Sequence, residues 1–243
     1  MQIIKLNATD STNRYLKSLM NEETLEDYTV VVAKNQQSGR GQLGTVWESD
    51  PGKNLTFSVL KKTHALNIPN LFMLNICVSL AVYRALMRFG VPDIMIKWPN
   101  DILSGSSKIC GILIENILAG NRINSSIIGI GLNVNQMAFN NLPKVSSLKL
   151  LLGRNIDLDS MLGEILNELK EVFKQYEQEG INKLEQLYTQ LLFRKDKPST
   201  FKNKDGDMFM GFIRGVSKEG KLIVALEDDV LKEFNLKELN LLY

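Results

Sequence analysis

Gly39-Arg40-Gly41-Gln42-Leu43-Gly44-Thr45-Val46-Trp47-Glu48-Ser49-Asp50-Pro51-Gly52 is the stretch whose reading decides the fold. Its first six residues match G-x-G-x-x-G, the turn that seats a pyrophosphate in dinucleotide-binding sheets. That fingerprint requires the third glycine to open a helix whose N-terminal N–H groups meet the phosphate. Here a β-branched pair, a proline and a further glycine follow, which read as a loop leading into a strand. The context argues against a doubly wound parallel sheet. Two readings of the loop remain: a flexible connector, or an anion-binding loop in which glycine N–H groups and the Arg40 guanidinium surround a phosphate or carboxylate.

Outward from this loop, residues 29–33 upstream and 54–60 downstream read as strands. Residues 3–6 form a short first strand, and Asp10-Ser11-Thr12-Asn13 offers side chains that cap a helix carrying Tyr15, Leu16, Leu19 and Met20 on one face. Residues 68–89, with Phe72, Met73 and Met87, read as a long core helix. Asn75, Ser79 and Arg84 interrupt it, and its apolar run is shorter than the roughly 20 residues a membrane span needs. Residues 94–98 are a strand stopped by Pro99. Residues 108–118 and 124–134 flank Gly120-Asn121 as an antiparallel hairpin. Three-and-four spacing predicts helices over 157–176 and 181–192. After residue 193, turns such as Asp205-Gly206, Lys218-Glu219-Gly220 and Glu227-Asp228-Asp229 punctuate short strands, the pattern of a separate β-barrel of about 50 residues. The fold class expected is α+β, divided into residues 1–193 and 194–243.

With 243 residues, 44% of them hydrophobic and 23% charged, the chain sits in the globular range and excludes a disordered or disulfide-stapled scaffold. The 29 basic and 27 acidic residues leave +2 with no long run of one sign, so bulk attraction to nucleic acid is not indicated. Cys77 and Cys110 are widely spaced, and with the single His64 they offer too few soft ligands for zinc. Buried reduced thiols in a cytoplasmic protein are expected, with His64 on the surface or in a loop. Residues 1–6, with one basic residue and no apolar run of signal-peptide length, lead us to expect no secretory or transit signal.

Lys97-Trp98-Pro99-Asn100-Asp101, followed by Lys108-Ile109-Cys110-Gly111-Ile112-Leu113-Ile114-Glu115, tips the balance toward an anion site. A strand end presents a lysine, an amide and a carboxylate together, and a further lysine opens a buried strand. In order with Ser11-Thr12-Asn13, Gln36, Gly39-Arg40-Gly41, Trp47 and Gly129-Ile130-Gly131-Leu132-Asn133, these residues resemble the biotin protein ligases. The resemblance covers most of residues 1–193, and a small C-terminal barrel fits the family too. It implies a mixed, largely antiparallel sheet with packed helices, like that of class II aminoacyl-tRNA synthetases, plus an SH3-like barrel, in a monofunctional ligase.

The resemblance further implies two steps: biotin and ATP give biotinyl-adenylate and pyrophosphate, then the biotinyl group passes to a lysine of a biotin carboxyl carrier domain. Bringing a carboxylate to an α-phosphate sets anion against anion, so fixed cations are needed, and Arg40, Lys108 and a Mg²⁺ would supply them. By the same resemblance Ser11, Thr12, Asn13 and Gln36 would bind the ureido head, with Gly39, Arg40 and Gly41 closing over biotin. Lys108 would meet the carboxylate, Gly111 would allow close backbone approach, and Trp47 would flank the adenylate. Asn100 and Asp101 would orient ATP, Asp101 and Asn133 would serve the metal, and Asp101 is the candidate base for the acceptor lysine. A solvated turn at residues 100–101 and a simple helix cap at 11–13 are the structural alternatives. A lipoate ligase would want an apolar tunnel in place of Ser11, Asn13 and Gln36, while a biotin-responsive repressor would need a recognition helix before the first strand. An inert binding module would not need Lys108 and Asp101 together. Dimerisation through exposed sheet edges is left open.

The glycine-rich loop carries Gln42, Leu43 and Thr45 where many relatives carry basic residues, leaving Arg40 as its one cation. A loop with less positive charge should hold the adenylate less firmly. Q42R is expected to lengthen the lifetime of bound biotinyl-adenylate in a filter-retention assay, and equal lifetimes would sink the idea.

Overall fold

The computed structural model describes residues 1–67, 71–119, 122–139, 142 and 144–243; the expected helix start at 68–70 and the turn at 120–121 lie outside them. The first layer is built from β1 (Ile3–Thr9), β2 (Val30–Gln36), β3 (Leu55–Asn67), β4 (Ile94–Lys97), β5 (Asp101–Ser104), β6 (Ser107–Ala119) and β7 (Arg122–Leu132). These form one seven-stranded sheet in the order β1-β2-β3-β7-β6-β5-β4. Only β1 and β2 run parallel within it, the remaining neighbours pairing antiparallel. The helices are α1 (Thr12–Glu22), α2 (Phe72–Arg88), α3 (Leu148–Leu152), α4 (Leu158–Glu179) and α5 (Asn182–Gln190).

Side-chain alternation along the strands explains where the helices lie. Leu55, Phe57 and Val59 of β3, Cys110 and Ile112 of β6, and Ile128, Ile130 and Leu132 of β7 share one face and pack with α2 and α4 into the main core. Positions one residue out of phase point the other way. Leu60, Ile127 and Val31 meet Leu16 of α1 in a second, smaller core. Farther along that face apolar side chains give out, and the cleft described below begins there.

Several boundaries differ from expectation for identifiable reasons. β3 continues to residue 67, so His64 lies in strand backbone and not in a loop. The turn beyond Pro99 is short: Asp101 already begins β5, pairing with Lys97 on one side and Gly111 on the other. α3 spans five residues, too few for a periodic signal, and is set by the Ser147 side chain accepting from Leu150 N and by Gly153 at φ 69°. Met87 falls on the outer side of the last turn of α2 and is 52% exposed, unlike the buried Phe72 and Met73.

The C-terminal strands β8 (Pro198–Asn203), β9 (Met208–Val216), β10 (Leu222–Ala225), β11 (Leu231–Phe234) and β12 (Leu239–Leu242) form a five-stranded antiparallel sheet in the order β11-β10-β9-β8-β12. Phe209 stacks on Phe201 of the adjacent β8 at 5.4 Å and on Phe234 of β11, two strands away, at 5.7 Å, so the sheet curls around its own interior. It is joined closely to the first layer. Ile96 N donates to Leu191 O (2.9 Å) and Phe193 N to Ile96 O (2.8 Å), covering the open edge of β4 as the chain passes into the second sheet. Trp98 Nε1 donates to Gly220 O at 2.8 Å. Gly220, at φ 85°, sits so close to Phe72 that a Cβ there would lie 2.4 Å from its ring. Phe201, Ile213, Leu222 and Phe234 accordingly belong to the same core as α2.

Both cysteines are free and buried. Burial pushes the Cys77 thiol up to about 12 and raises the Cys110 thiol as well. Because the folded values lie above the unfolded one, these groups contribute stability at neutral pH that is lost as pH climbs past the ordinary thiol range, about 8.5. A thiol-reactive dye at pH 8 is expected to label neither cysteine in the folded protein and both in guanidinium. Rapid labelling of the folded chain would contradict this placement.

Candidate active site

The cleft owes its existence to missing side chains. Gly111 of β6 and Gly131 of β7 are direct cross-strand partners, and both face the side away from α2. The Trp47 indole lies over them: a Cβ on Gly131 would stand 2.4 Å from Trp47 Cε2, and one on Gly111 3.0 Å from Cζ3. Trp47 is delivered by the glycine loop, which is a tight hairpin with Trp47 N donating to Gly39 O (3.0 Å) and Gly41 N to Thr45 O (2.8 Å). Its tip, Gln42–Gly44, is a single 3-10 turn, so no helix follows the third glycine. A Cβ on Gly39 would strike Trp47 O at 2.2 Å, which explains the glycine there. Trp47 Nε1 is buried without a hydrogen-bond partner.

One end of the cleft is a polar network. Ser11 occupies the cap position of α1 but makes no capping hydrogen bond. Instead Gln36 Oε1, from β2, accepts from Thr12 N at 2.9 Å. Thr12 Oγ1 lies 3.1 Å from the same Gln36 oxygen and 2.7 Å from Ser58 Oγ. Ser58 Oγ is also 2.6 Å from Asn13 Oδ1, and Asn13 Nδ2 donates to Glu115 Oε2 at 2.7 Å. Gly129 leaves the space Asn13 occupies, since a Cβ would fall 2.4 Å from Asn13 Oδ1.

The opposite end is charged. Lys108 Nζ lies 2.6 Å from Asp101 Oδ1, and Lys97 Nζ 3.9 Å from Asp101 Oδ2. Lys108 also stands 5.5 Å above the Trp47 ring, within cation–π range. Burial is the main cause lowering the Lys97 pKa, with the nearby Lys108 charge adding to it and Asp101 opposing. Asn100 is tied to β6 by Nδ2 donating to Ile112 O (2.6 Å) and by Ile112 N donating to Asn100 O (3.0 Å).

Of the residues singled out in the sequence, Ser11, Thr12, Asn13, Gln36, Arg40, Gly41, Trp47, Asn100, Asp101, Lys108 and Gly111 line one cleft of about 860 Å³, open mouth included. Gly39 supports the loop from behind. Asn133 is not among the lining residues: β7 ends at Leu132, and the Asn133 amide turns to donate to Ser146 O at 3.1 Å, leaving its buried Oδ1 without a partner. Ser58, Glu115, Gly129 and Gly131 take part in the site without having been assigned roles from the sequence. Their signal was faint: polar Asn54, Thr56 and Ser58 alternate through an apolar strand, and Glu115 ends an apolar run. Among the described residues, no group of three His, Cys, Asp or Glu side chains is placed to hold a metal, and no helix is long and apolar enough to cross a membrane.

Comparison with known proteins agrees with this geometry. Residues 6–133 match the biotin/lipoate A/B protein ligase family. The bifunctional ligase/repressor BirA of Escherichia coli (strain K12) is 30% identical over 247 residues, covering 96% of this chain and 71% of that protein. The biotin–[acetyl-CoA-carboxylase] ligase of Paracoccus denitrificans is 34% identical over 129 residues, 52% of each chain. The biotin protein ligase from Aquifex aeolicus, solved in complex with biotin and ATP, superposes with a TM-score of 0.82 at 26% identity, covering 99% of this chain and 98% of that one. A family match over more than half the chain, together with a BirA relative 30% identical over 96% of it, shows that this chain belongs to the biotin/lipoate A/B protein ligase family, as a biotin protein ligase.

Proposed function

We propose that the cleft activates biotin with ATP and transfers it to a carrier lysine, and the observation that carries this reading is the order of groups along it. A hydrogen-bonding pocket around Thr12 and Gln36 suits the ureido head, the apolar Trp47 indole seated on Gly111 and Gly131 walls the space between, and Lys108 waits at the far end for the carboxylate. In the first step a carboxylate oxygen attacks the α-phosphorus of ATP, the bond to the bridging oxygen breaks, and pyrophosphate leaves. Biotin needs no base for this, because a carboxylic acid of ordinary pKa, about 4.3, is ionised at neutral pH. Lys108 and Arg40 offset the charge that accumulates as the two anions meet.

In the second step the acceptor ε-amine attacks the carbonyl carbon of the mixed anhydride, the bond to the phosphate oxygen breaks, and AMP leaves. An amine of pKa about 10.4 is neutral in fewer than about one molecule in a thousand at pH 7. In this reading Asp101 takes that proton, a role supported by its position beside Lys108 in the cleft. Lys108 then serves both steps, meeting the carboxylate first and the departing phosphate afterwards.

Magnesium would arrive with the triphosphate. A divalent ion of this kind needs only one or two protein oxygens beside phosphate and water. The Asp101 carboxylate, which lines the cleft, fits that need and would hold it, where it would neutralise phosphate charge; the Asn133 Oδ1, buried and outside the lining, does not. The acceptor in this reading is the biotin carboxyl carrier domain of a carboxylase, supported by the name of the Paracoccus relative. Residues 1–193 would form the ligase unit proper, with 194–243 closing its flank. The polar pocket disfavours lipoate.

ATP–pyrophosphate exchange is expected with biotin and not with lipoate or octanoate supplied alone, and the reverse pattern would overturn the reading. K108A is expected to lower exchange by at least about 100-fold. Its fold should survive, because a partly exposed ion pair contributes only about 1 kcal/mol; near-normal exchange would remove Lys108 from the mechanism. G131A should push the Trp47 ring off its floor, seen as changed near-ultraviolet dichroism together with weakened biotin binding. Unchanged binding would mean that the floor is not part of the biotin site.

A further inference from the structure

We infer that Glu115 is a positioning residue that sets the direction of hydrogen-bond donation through the polar pocket, and thereby which of its atoms can accept from a ligand N–H. The inference rests on the reading of this pocket as the ureido site. Glu115 is not among the residues that line the cleft. It acts through Asn13.

The direction follows from counting donors. An ionised carboxylate only accepts, so Asn13 must turn its NH₂ toward Glu115 Oε2 (2.7 Å), and Leu113 O, 3.4 Å away, receives the same group. Asn13 Oδ1 therefore faces Ser58 Oγ at 2.6 Å and can only accept there. Ser58 has a single proton, and it is committed to Asn13. The Thr12 proton has two acceptors in reach, Ser58 Oγ at 2.7 Å and Gln36 Oε1 at 3.1 Å, and the nearer one, whose own proton is spent on Asn13, takes it. Thr12 is left with oxygen lone pairs to offer. Gln36, whose Oε1 is held by Thr12 N at 2.9 Å, presents its NH₂ as a donor.

The result is a one-way chain from Thr12 through Ser58 and Asn13 to Glu115, ending in an acceptor at Thr12 beside a donor at Gln36. A cyclic urea needs that pairing, since its N–H groups donate and its carbonyl accepts. With a neutral amide at position 115 the chain could run either way, and half of its arrangements would turn a proton toward the ligand N–H. Asn13, Ser58 and Thr12 are all buried, so water does not restore the order.

E115Q is therefore expected to raise KM for biotin in pyrophosphate exchange about tenfold, with kcat within about threefold of wild type. N13D alone should be worse, because it sets two carboxylates against each other. The exchanged pair N13D/E115Q puts an acceptor-only group at position 13 that receives both the new amide and the Ser58 hydroxyl, which restores the direction of the chain at Ser58 and should bring KM back to within about threefold. In an S58A background, where the chain is already cut, E115Q should add little. A KM unmoved by E115Q, or an exchanged pair no better than its single variants, would overturn the assignment. Absence of biotin-dependent exchange in the wild-type protein would instead remove the reading of the pocket itself.

Discussion

The central sheet must be densely apolar on one face and nearly vacant on part of the other, and this constraint governs the rest of the molecule. In β7 the two requirements alternate residue by residue: Ile128, Ile130 and Leu132 are in the main core, while Gly129 and Gly131 between them carry nothing. A side chain at either glycine would collide with Asn13 or with Trp47. The strands pay for the vacancy in conformational freedom, since glycine weakens a strand interior by roughly 0.5–1 kcal/mol relative to alanine. The loss is recovered on the opposite face, where α2 and α4 bury the intervening isoleucines; each such side chain contributes on the order of 1.5–3 kcal/mol.

Electrostatics in the cleft follow a similar economy. Its ends differ in kind: neutral dipoles near Thr12, and formal charges near Lys108. Lys108 and Asp101 face each other with the indole of Trp47 against the ammonium, so the lysine is held in place by contacts on two sides before any ligand arrives. Such preorganisation matters because a transferring phosphoryl group gains most from charges that need not move to meet it. The near-neutral chain has no broad field to offer, and these few placed charges carry the electrostatic task.

The strands and long helices were legible because their apolar periods are strong. The glycine loop was legible too, since the residues after Gly44 already read as a loop and not as a helix. Other features depended on partners far away in sequence. Ser11-Thr12-Asn13 resembles an ordinary helix cap, and what distinguishes it is Gln36 accepting the Thr12 N–H across 24 positions. Asn133 was assigned to the metal by family resemblance alone, and β7 stops one residue short of it. Ser58 and Glu115 become informative only once β3, β6 and α1 are known to be neighbours. The four-residue β5 was hidden behind its own proline, and α3 is shorter than any helical period that could have announced it.

The link between Trp98 and Gly220 bears on how the molecule can be taken apart. Trp98 stands between Lys97 and the turn that leads to Asp101, so the same few residues that supply charge to the cleft also hold the second sheet. Removing residues 194–243 would strip the cover from Trp98 and Phe72 at once. The ligase half is thus not a minimal catalytic fragment awaiting excision. For anyone building chimeras, the swappable unit is the pair of sheets, with seams better placed in exposed turns such as the one at Gly206.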